Sequence, residues 1–324
     1  MAHTVVLSDN KTVDPVHQRE VLSTVGAEVE TLAEKTEDAV AAAVRGADGL
    51  VVDAATPVTA RVLAGTETLR VVGRAGVGVD NVDVAAAAEH GVTVVNVPDY
   101  ALEEVSTHAF ALLLACVRGV PQYDRAVRAE QWDWTVGAPM HRMAGKTLGL
   151  VGFGQIARRL AAKLRTFGLD VVATDPYVDA ATMRDYGVER VSFEAVLDRA
   201  DYLSVHTPLY GETRGLLSTA EFERLDDDCI VVNTARGPVV DQAALVDALD
   251  RGEIARAGLD VLESEPPAAD SPLLDRDDVV LTPHTGWYSE ESRADLSESV
   301  ARDVAAVLRG DEPANPVDPD TPWV

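Results

Sequence analysis

TLGLVGFGQIARRLAAKLRTFGLDVVATDP, residues 147–176, is the stretch whose reading decides the fold. Residues 148–153 form an apolar run of the length of a buried parallel strand, and helical spacing of apolar residues begins only after Gly152 and Gly154. Gly152 permits a sharp turn, Gly154 lets a pyrophosphate approach the backbone, and Ala157 fills the third small position so that helix and strand pack closely. The N–H groups that open the helix, at Gln155 and Ile156, then face the anion. Asp175 follows the second strand about 20 residues past the turn, where a carboxylate accepts from both ribose hydroxyls and repels a 2′-phosphate. The stretch reads as a dinucleotide site that prefers NAD to NADP.

Downstream come four more strand candidates, 201–206, 229–233, 255–260 and 279–282. Each ends in a polar cluster: His206-Thr207-Pro208, Asn233-Thr234-Ala235-Arg236-Gly237, residues 260–265, and Pro283-His284-Thr285-Gly286-Trp287. Ligands of a doubly wound sheet lie beyond the carboxyl ends of its strands, so the four clusters are expected to converge on the nicotinamide end of the cofactor. Upstream, about a hundred residues alternate short apolar strands (4–8, 28–32, 49–53, 69–72, 93–97) with amphipathic helices, the pattern of a separate parallel α/β domain. The loop 73–81, GRAGVGVDN, exposes backbone N–H groups that suit a small carboxylate, and it reads equally well as an ordinary strand-to-helix turn.

Residues 101–118 form a long apolar helix, acidic early and ending in Arg118, that bridges into the second domain. His108 on it reads as a packing residue. Trp132 and Trp134, in an irregular arm spanning 125–143, suit core anchoring as well as contact with another subunit or the cleft. A second long helix, 289–308 with Ser289 as N-cap, returns the chain to the first domain together with the tail 315–324. The expected architecture is α/β throughout, with two Rossmann-like doubly wound parallel-sheet domains. The NAD-binding domain, 100–287, is inserted into a flavodoxin-like substrate-binding domain made of 1–99 plus 288–324.

The charge balance bounds the partners. Among 324 residues, 54 are acidic and 28 basic, four of them Lys, for a net charge of −26. Such a surface repels nucleic acid. The runs 226–228 and 275–278 read as solvated acids, and no metal site is expected. Self-repulsion at this charge is relieved by salt, whose screening length falls to about 3 Å at 1 M. The composition resembles that of halophilic proteins. Cys116 and Cys229 sit in apolar runs and read as buried small hydrophobes, with no disulfide framework. Neither a signal peptide nor a membrane-spanning run is apparent, so a soluble cytoplasmic enzyme without a membrane partner is expected.

Hydride transfer to a 2-oxo acid needs a cation for the carboxylate and carbonyl, an acid for the developing alkoxide, and a partner for that acid. Arg236, His284 and Glu265 supply one of each. The guanidinium fork matches a carboxylate bidentately and stays charged. Histidine titrates near neutrality, and a neighbouring carboxylate favours its protonated form. Taken singly, the three also read as a surface ion pair, a turn histidine and a solvated loop acid.

Six ordered motifs bring these residues together: VVGRAGVGVDNVD (71–83), GFGQIA (152–157) with Asp175, HTP (206–208), VVNTARGPVVD (231–241), GLDVLESEPP (258–267) and TPHTGWYSE (282–290). With them the chain resembles the D-isomer-specific 2-hydroxyacid dehydrogenases over almost its whole length. The resemblance implies that Arg236 holds substrate, His284 is the general acid/base and Glu265 pairs with it. It puts Asp260 near the nicotinamide amide, Thr207, Thr234 and Ala235 along the cofactor, and the loop Arg74, Ala75, Gly76, Val77, Gly78 at the substrate carboxylate, with Val77 also reaching the cofactor. Members are usually dimers joined through the cofactor domain. Two branches compete. The first-domain motif resembles D-3-phosphoglycerate dehydrogenase, but Asp53 and Trp134 stand where those enzymes commonly carry basic residues, and an acid repels a phosphate. PHTGWYSEES resembles the C-terminal-binding-protein group, in which Trp287 would shape a pocket for an apolar side chain. The expectation is an NAD-dependent D-2-hydroxyacid dehydrogenase acting on a small 2-oxo acid, with D-3-phosphoglycerate oxidation as the alternative. An NAD-sensing binding protein is disfavoured, because a sensor has no need of an acid-base pair.

Overall fold

The structure, a computed structural model, describes residues 3–8 and 11–321; the first two residues of the chain, the pair 9–10 and the last three of the tail 315–324 lie outside them. The chain divides into two units, Met1–Ala101 with Tyr288–Val324, and Leu102–Trp287. In the first, β1 (His3–Leu7), β2 (Ala27–Thr31), β3 (Gly49–Val52), β4 (Val71–Arg74) and β5 (Thr93–Val95) form a parallel sheet in the order β2-β1-β3-β4-β5. That is the flavodoxin-like doubly wound order. In the second, β6 (Thr147–Val151), β7 (Asp170–Thr174), β8 (Glu189–Arg190), β9 (Tyr202–Val205), β10 (Ile230–Asn233), β11 (Arg256–Leu259) and β12 (Val279–Leu281) run parallel in the order β12-β11-β10-β9-β6-β7-β8. Order reverses between β6 and β9, the switch point at which a Rossmann sheet opens a crevice.

Continuous apolar strands follow from burial on both faces. In β10, Val231 faces one hydrophobic cluster with Val205, Leu245 and Leu259, while Ile230 and Val232 face another with Leu112, Leu150 and Leu160. Part of the acidic excess is structural. Asp14, Asp83, Asp179 and Asp241 are helix N-caps whose side chains accept from first-turn N–H groups, each such cap stabilising by about 1 kcal/mol. Ser289 caps the helix Glu290–Arg309 in the same way. Beyond that helix the Asp303 carboxylate takes the N–H groups of Ala314 and Asn315 at 2.7 and 3.2 Å, and Val317 N–H donates to Val94 O, which docks the tail on β5.

Several strands end earlier than their apolar runs. β5 stops at Val95 instead of reaching 97, because Asn96 N–H donates to Asn315 O and Val97 N–H to Gly76 O rather than to the ladder. β4 lies two residues later than its apolar run, in register with β3 from Gly49↔Val71 to Val52↔Arg74. β8 has no apolar signature; two exposed residues are strand only because β7 offers an unpaired edge. The bridging helix runs Leu102–Arg118 and covers β10, β11 and β12. Trp132 and Trp134 are 90% and 77% exposed, so core anchoring is not their role. Among the described residues no helix is long and apolar enough to cross a membrane. The cysteines are free and buried, and burial pushes the Cys116 thiol up to about 12.

Candidate active site

The turn after β6 starts from Gly152, whose φ of +90° suits glycine, and a Cβ there would lie 2.7 Å from His206 O. The chain thus passes directly over the end of β9, bringing Thr207 to the same turn. Gly154 caps the helix Gln155–Leu164 without a side-chain acceptor, and nothing lies within 4 Å of where its Cβ would be. The first helical residues follow this open position, with Gln155 exposed and Ile156 half-buried, as an anion site requires. Ala157 is fully buried against the sheet. Asp175, one residue past β7, accepts from Phe153 N–H at 2.7 Å and Tyr177 N–H at 2.8 Å. It ties the glycine turn to β7, and a carboxylate so held retains acceptor capacity for hydroxyls.

Past β10 the buried Asn233 organises the next turn. Its Oδ1 accepts from Ala235 N–H at 3.0 Å and its Nδ2 donates to Arg236 O at 2.9 Å. Residue 233 carried no role in the sequence reading; an amide ending a strand just before a polar cluster is the signal that could have found it. Thr234 Oγ1 is buried without a partner among the described residues. A buried hydroxyl in that state awaits a ligand or water, and here it lies in the cluster assigned to the cofactor. The open glycine turn, the anchored carboxylate and this hydroxyl together fit a dinucleotide.

Gly237 packs so tightly on the following segment that a Cβ would lie 1.9 Å from Leu262 O, which brings Arg236 beside the loop carrying Glu265. Arg236 Nη1 donates to Ala235 O at 2.8 Å. Glu265 Oε1 accepts from Leu262 N–H at 2.9 Å and Oε2 meets His284 Nδ1 at 2.7 Å. Partial burial would raise the Glu265 carboxyl, but the His284 hydrogen bond and charge, the Leu262 N–H and the Arg236 charge outweigh it and hold the group below the usual range. The pair stays open to solvent, with side chains 38% and 30% exposed, as substrate access demands.

His284 has φ +52°, a left-handed conformation uncommon outside glycine. Such a backbone costs about 1–3 kcal/mol and clusters at functional sites. Its N–H donates to Asp260 O at 2.8 Å. Asp260, 3% exposed, has its carboxylate engaged by Thr282, Thr285 and Gly286. Burial would raise this group, and the hydrogen bonds from His108, Thr282 and the two N–H groups bring it below the usual range. His108 therefore belongs to a polar network, contrary to the packing role read from sequence. Trp287, half-buried, ends the unit.

In the first unit the loop after β4 is supported by its first residue. Arg74 is 5% exposed, and its guanidinium donates to Ala75 O at 3.0 Å and Asn81 Oδ1 at 3.5 Å, filling the space beside Gly76. Ala75 is buried, and Val77 and Gly78 form the outer part of the loop, with Val77 O taking Asn96 Nδ2 at 2.6 Å. The side chain at 74 thus supports the loop from within. Asp53 is paired with Lys35 at 2.5 Å and bonded to Thr56, so its position does not present a bare negative charge. Among the described residues the grouping with metal-ligand spacing is Asp226, Asp227 and Asp228, two of them exposed, with Asp228 engaged by His141.

The sequence profile of the D-isomer specific 2-hydroxyacid dehydrogenase NAD-binding domain matches residues 110–286. A D-3-phosphoglycerate dehydrogenase of Archaeoglobus fulgidus is 39% identical over 263 residues, 81% of this chain and 50% of its own length. The chain spans about half the length of such curated relatives. A protein of Thermus thermophilus of known structure is 33% identical, with a TM-score of 0.87 over 97% of this chain and 100% of its own. The D-lactate dehydrogenase of Aquifex aeolicus, solved with NAD and lactic acid, is 25% identical with a TM-score of 0.88 over 97% and 99% of the two chains. With its profile match covering more than half the chain, this protein belongs to the D-isomer specific 2-hydroxyacid dehydrogenase family.

Proposed function

We propose that the protein is an NAD-dependent dehydrogenase interconverting a small 2-oxo acid and its D-2-hydroxy acid. The observation that carries this reading is the 2.7 Å contact between His284 Nδ1 and Glu265 Oε2 beside Arg236. NAD, bound on the glycine turn, Asp175, Thr207, Thr234 and Ala235, would supply or accept the hydride at the substrate carbon. Arg236 binds the substrate carboxylate and polarises the carbonyl. His284 delivers a proton to the alkoxide oxygen in reduction and removes it in oxidation. Glu265 orients the ring through Nδ1, leaving Nε2 for the substrate. Asp260 is read as adjacent to the carboxamide, and Trp287 with the loop 74–78 as substrate-binding; for that loop the buried Arg74 favours recognition through backbone N–H groups. Residues 1–99 with 288–324 are taken as the substrate-binding domain and 100–287 as the NAD-binding domain.

D-3-phosphoglycerate oxidation stands as the second reading. The names of the curated relatives favour it, and so does Lys35, which puts a cation at Asp53 where the sequence suggested repulsion. We further read the protein as a cytoplasmic homodimer without nucleic-acid or membrane partners. Two exposed indoles on one arm suit a second copy, buried free thiols suit a reducing compartment, and a charge of −26 repels polyanions.

NADH oxidation over a panel of 2-oxo acids, including hydroxypyruvate and 3-phosphohydroxypyruvate, tests the reading. Turnover of the phosphorylated compound alone would transfer the assignment to the second reading. No turnover of any member would reject both. His284→Ala should lower kcat by about 10²-fold or more, and near-normal turnover would remove His284 from the mechanism.

A further inference from the structure

Beneath the turn that carries His284 lies a closed polar cluster drawn from three distant segments. Asp260 ends β11; its Oδ1 accepts the Thr282 hydroxyl at 2.6 Å and Thr285 N–H at 2.9 Å, and its Oδ2 accepts Gly286 N–H at 2.8 Å. His108, on the helix Leu102–Arg118, brings Nε2 to 2.9 Å from Thr282 Oγ1 and 3.3 Å from Asp260 Oδ1. The hydroxyl spends its one hydrogen on Asp260, so towards His108 it can only accept, and Nε2 must carry a hydrogen. The packing leaves no slack: a Cβ at Gly286 would lie 2.9 Å from Asp260 Oδ2 and 3.2 Å from His108 Cδ2. The N–H of His284 is shared between Asp260 O at 2.8 Å and Thr282 O at 3.1 Å. Both flanks of a non-glycine residue at φ +52° are thereby tied to one buried carboxylate. Glu265 cannot do this alone, since it sits on a solvent-open loop.

We infer that His108 is a positioning residue of the proposed dehydrogenase: by donating Nε2–H to Thr282 and Asp260 it holds the 282–286 turn in the conformation that keeps the His284 imidazole on Glu265. This rests on the dehydrogenase reading for its consequence in turnover, though not for the geometry. His108 acts through Asp260 and Thr282. Its loss would let the left-handed backbone relax, and small displacements of a reacting group are amplified in rate.

The test compares wild type with His108→Leu, which removes the donor, and His108→Gln, which can present an amide N–H at the ε position. Hydrogen exchange of the segment 279–288 and steady-state kinetics are both read. In His108→Leu, exchange at 282–286 should accelerate by about tenfold or more and kcat should fall by about tenfold or more, with KM for the 2-oxo acid changing less than about threefold. His108→Gln should restore both to within about threefold. Thr282→Val, which deletes the same link at nearly constant volume, carries the same expectation if His108→Leu fails to fold. Unchanged exchange in the donor-free variants would overturn the inference, as would a Gln variant as impaired as the Leu variant. Faster exchange in a protein whose wild type turns over no 2-oxo acid would leave the positioning intact and reject the dehydrogenase reading. An active wild type with unaffected variants would do the reverse.

Discussion

Gly152→Ala is the substitution whose consequence follows most directly from the backbone geometry. The new Cβ would lie 2.7 Å from His206 O, 2.8 Å from His206 C and 3.0 Å from Thr207 N, all backbone atoms that cannot swing aside as a side chain would. Restoring ordinary contact requires the end of β9 to retreat by roughly 0.5 Å or more, an overpacking that costs about 1–3 kcal/mol. Alanine at φ +90° adds about 1–3 kcal/mol of backbone strain. The reduced freedom of the unfolded chain returns about 0.4–1 kcal/mol. The net is about 1–5.6 kcal/mol, which in a unit of this size lowers Tm by roughly 2–22 °C. Because the displaced backbone includes Thr207 and the glycine turn, NADH affinity should fall by about tenfold or more. Gly154→Ala is the control: at φ −71° with nothing within 4 Å, the methyl group strains nothing. It projects into the space read as the pyrophosphate's, so it should weaken NADH while leaving Tm within about 2 °C. Differential scanning fluorimetry and NADH fluorescence titration read both quantities. A Gly152→Ala protein that melts with wild type and binds NADH equally would refute the reasoning.

Further expectations follow from the same geometry. Burial pushes the His206 imidazole from 6.5 down to about 4, so the native state resists its protonation while the unfolded chain does not. The stabilisation is full above 6.5 and is lost as pH falls through about 4, at most about 3 kcal/mol; His206→Gln should flatten that part of the stability–pH curve in urea titrations, and an unaltered slope would count against it. Raising KCl from dilute buffer to above 1 M should raise Tm by several degrees as the −26 charge is screened, and equal melting at both ends would remove the halophile-like reading. Trp132→Ser with Trp134→Ser should shift sedimentation from dimer towards monomer, whereas a wild type that sediments as a monomer would dispose of the dimer outright. In Glu265→Gln the orienting charge is lost, and kcat should fall by about tenfold or more with NADH affinity intact; unchanged kcat would deny the pair its role.

The local grammar of the chain is legible in its sequence. Strand, glycine turn, helix, strand and acid at 147–176 are set by interactions within a few residues of one another: φ at Gly152, small volume at Ala157, the apolar period of the helix. The parallel α/β class follows from the same alternation, and the ends of apolar runs led to the turns after β9, β10, β11 and β12. What local sequence pattern could not hold was any pairing decided by packing; that of Glu265 with His284 came only from the family resemblance. Glu265 and His284 meet across 19 positions, and His108 reaches Asp260 and Thr282 across more than 150. The His108 contacts exist because a helix lies over three strands, and no local pattern encodes where its imidazole will land. Arg74 is a second case: the sequence offered its loop as backbone N–H groups for a carboxylate, and only packing put the guanidinium on Ala75 O and Asn81 Oδ1. Asp53, repulsive on paper, is neutralised by Lys35 from another loop. Residue type thus determined which chemistry was available and roughly where along the chain. Which side chains are paired, buried or left open was decided only when tertiary packing chose their neighbours, because burial and hydrogen-bond satisfaction are properties of the assembled fold.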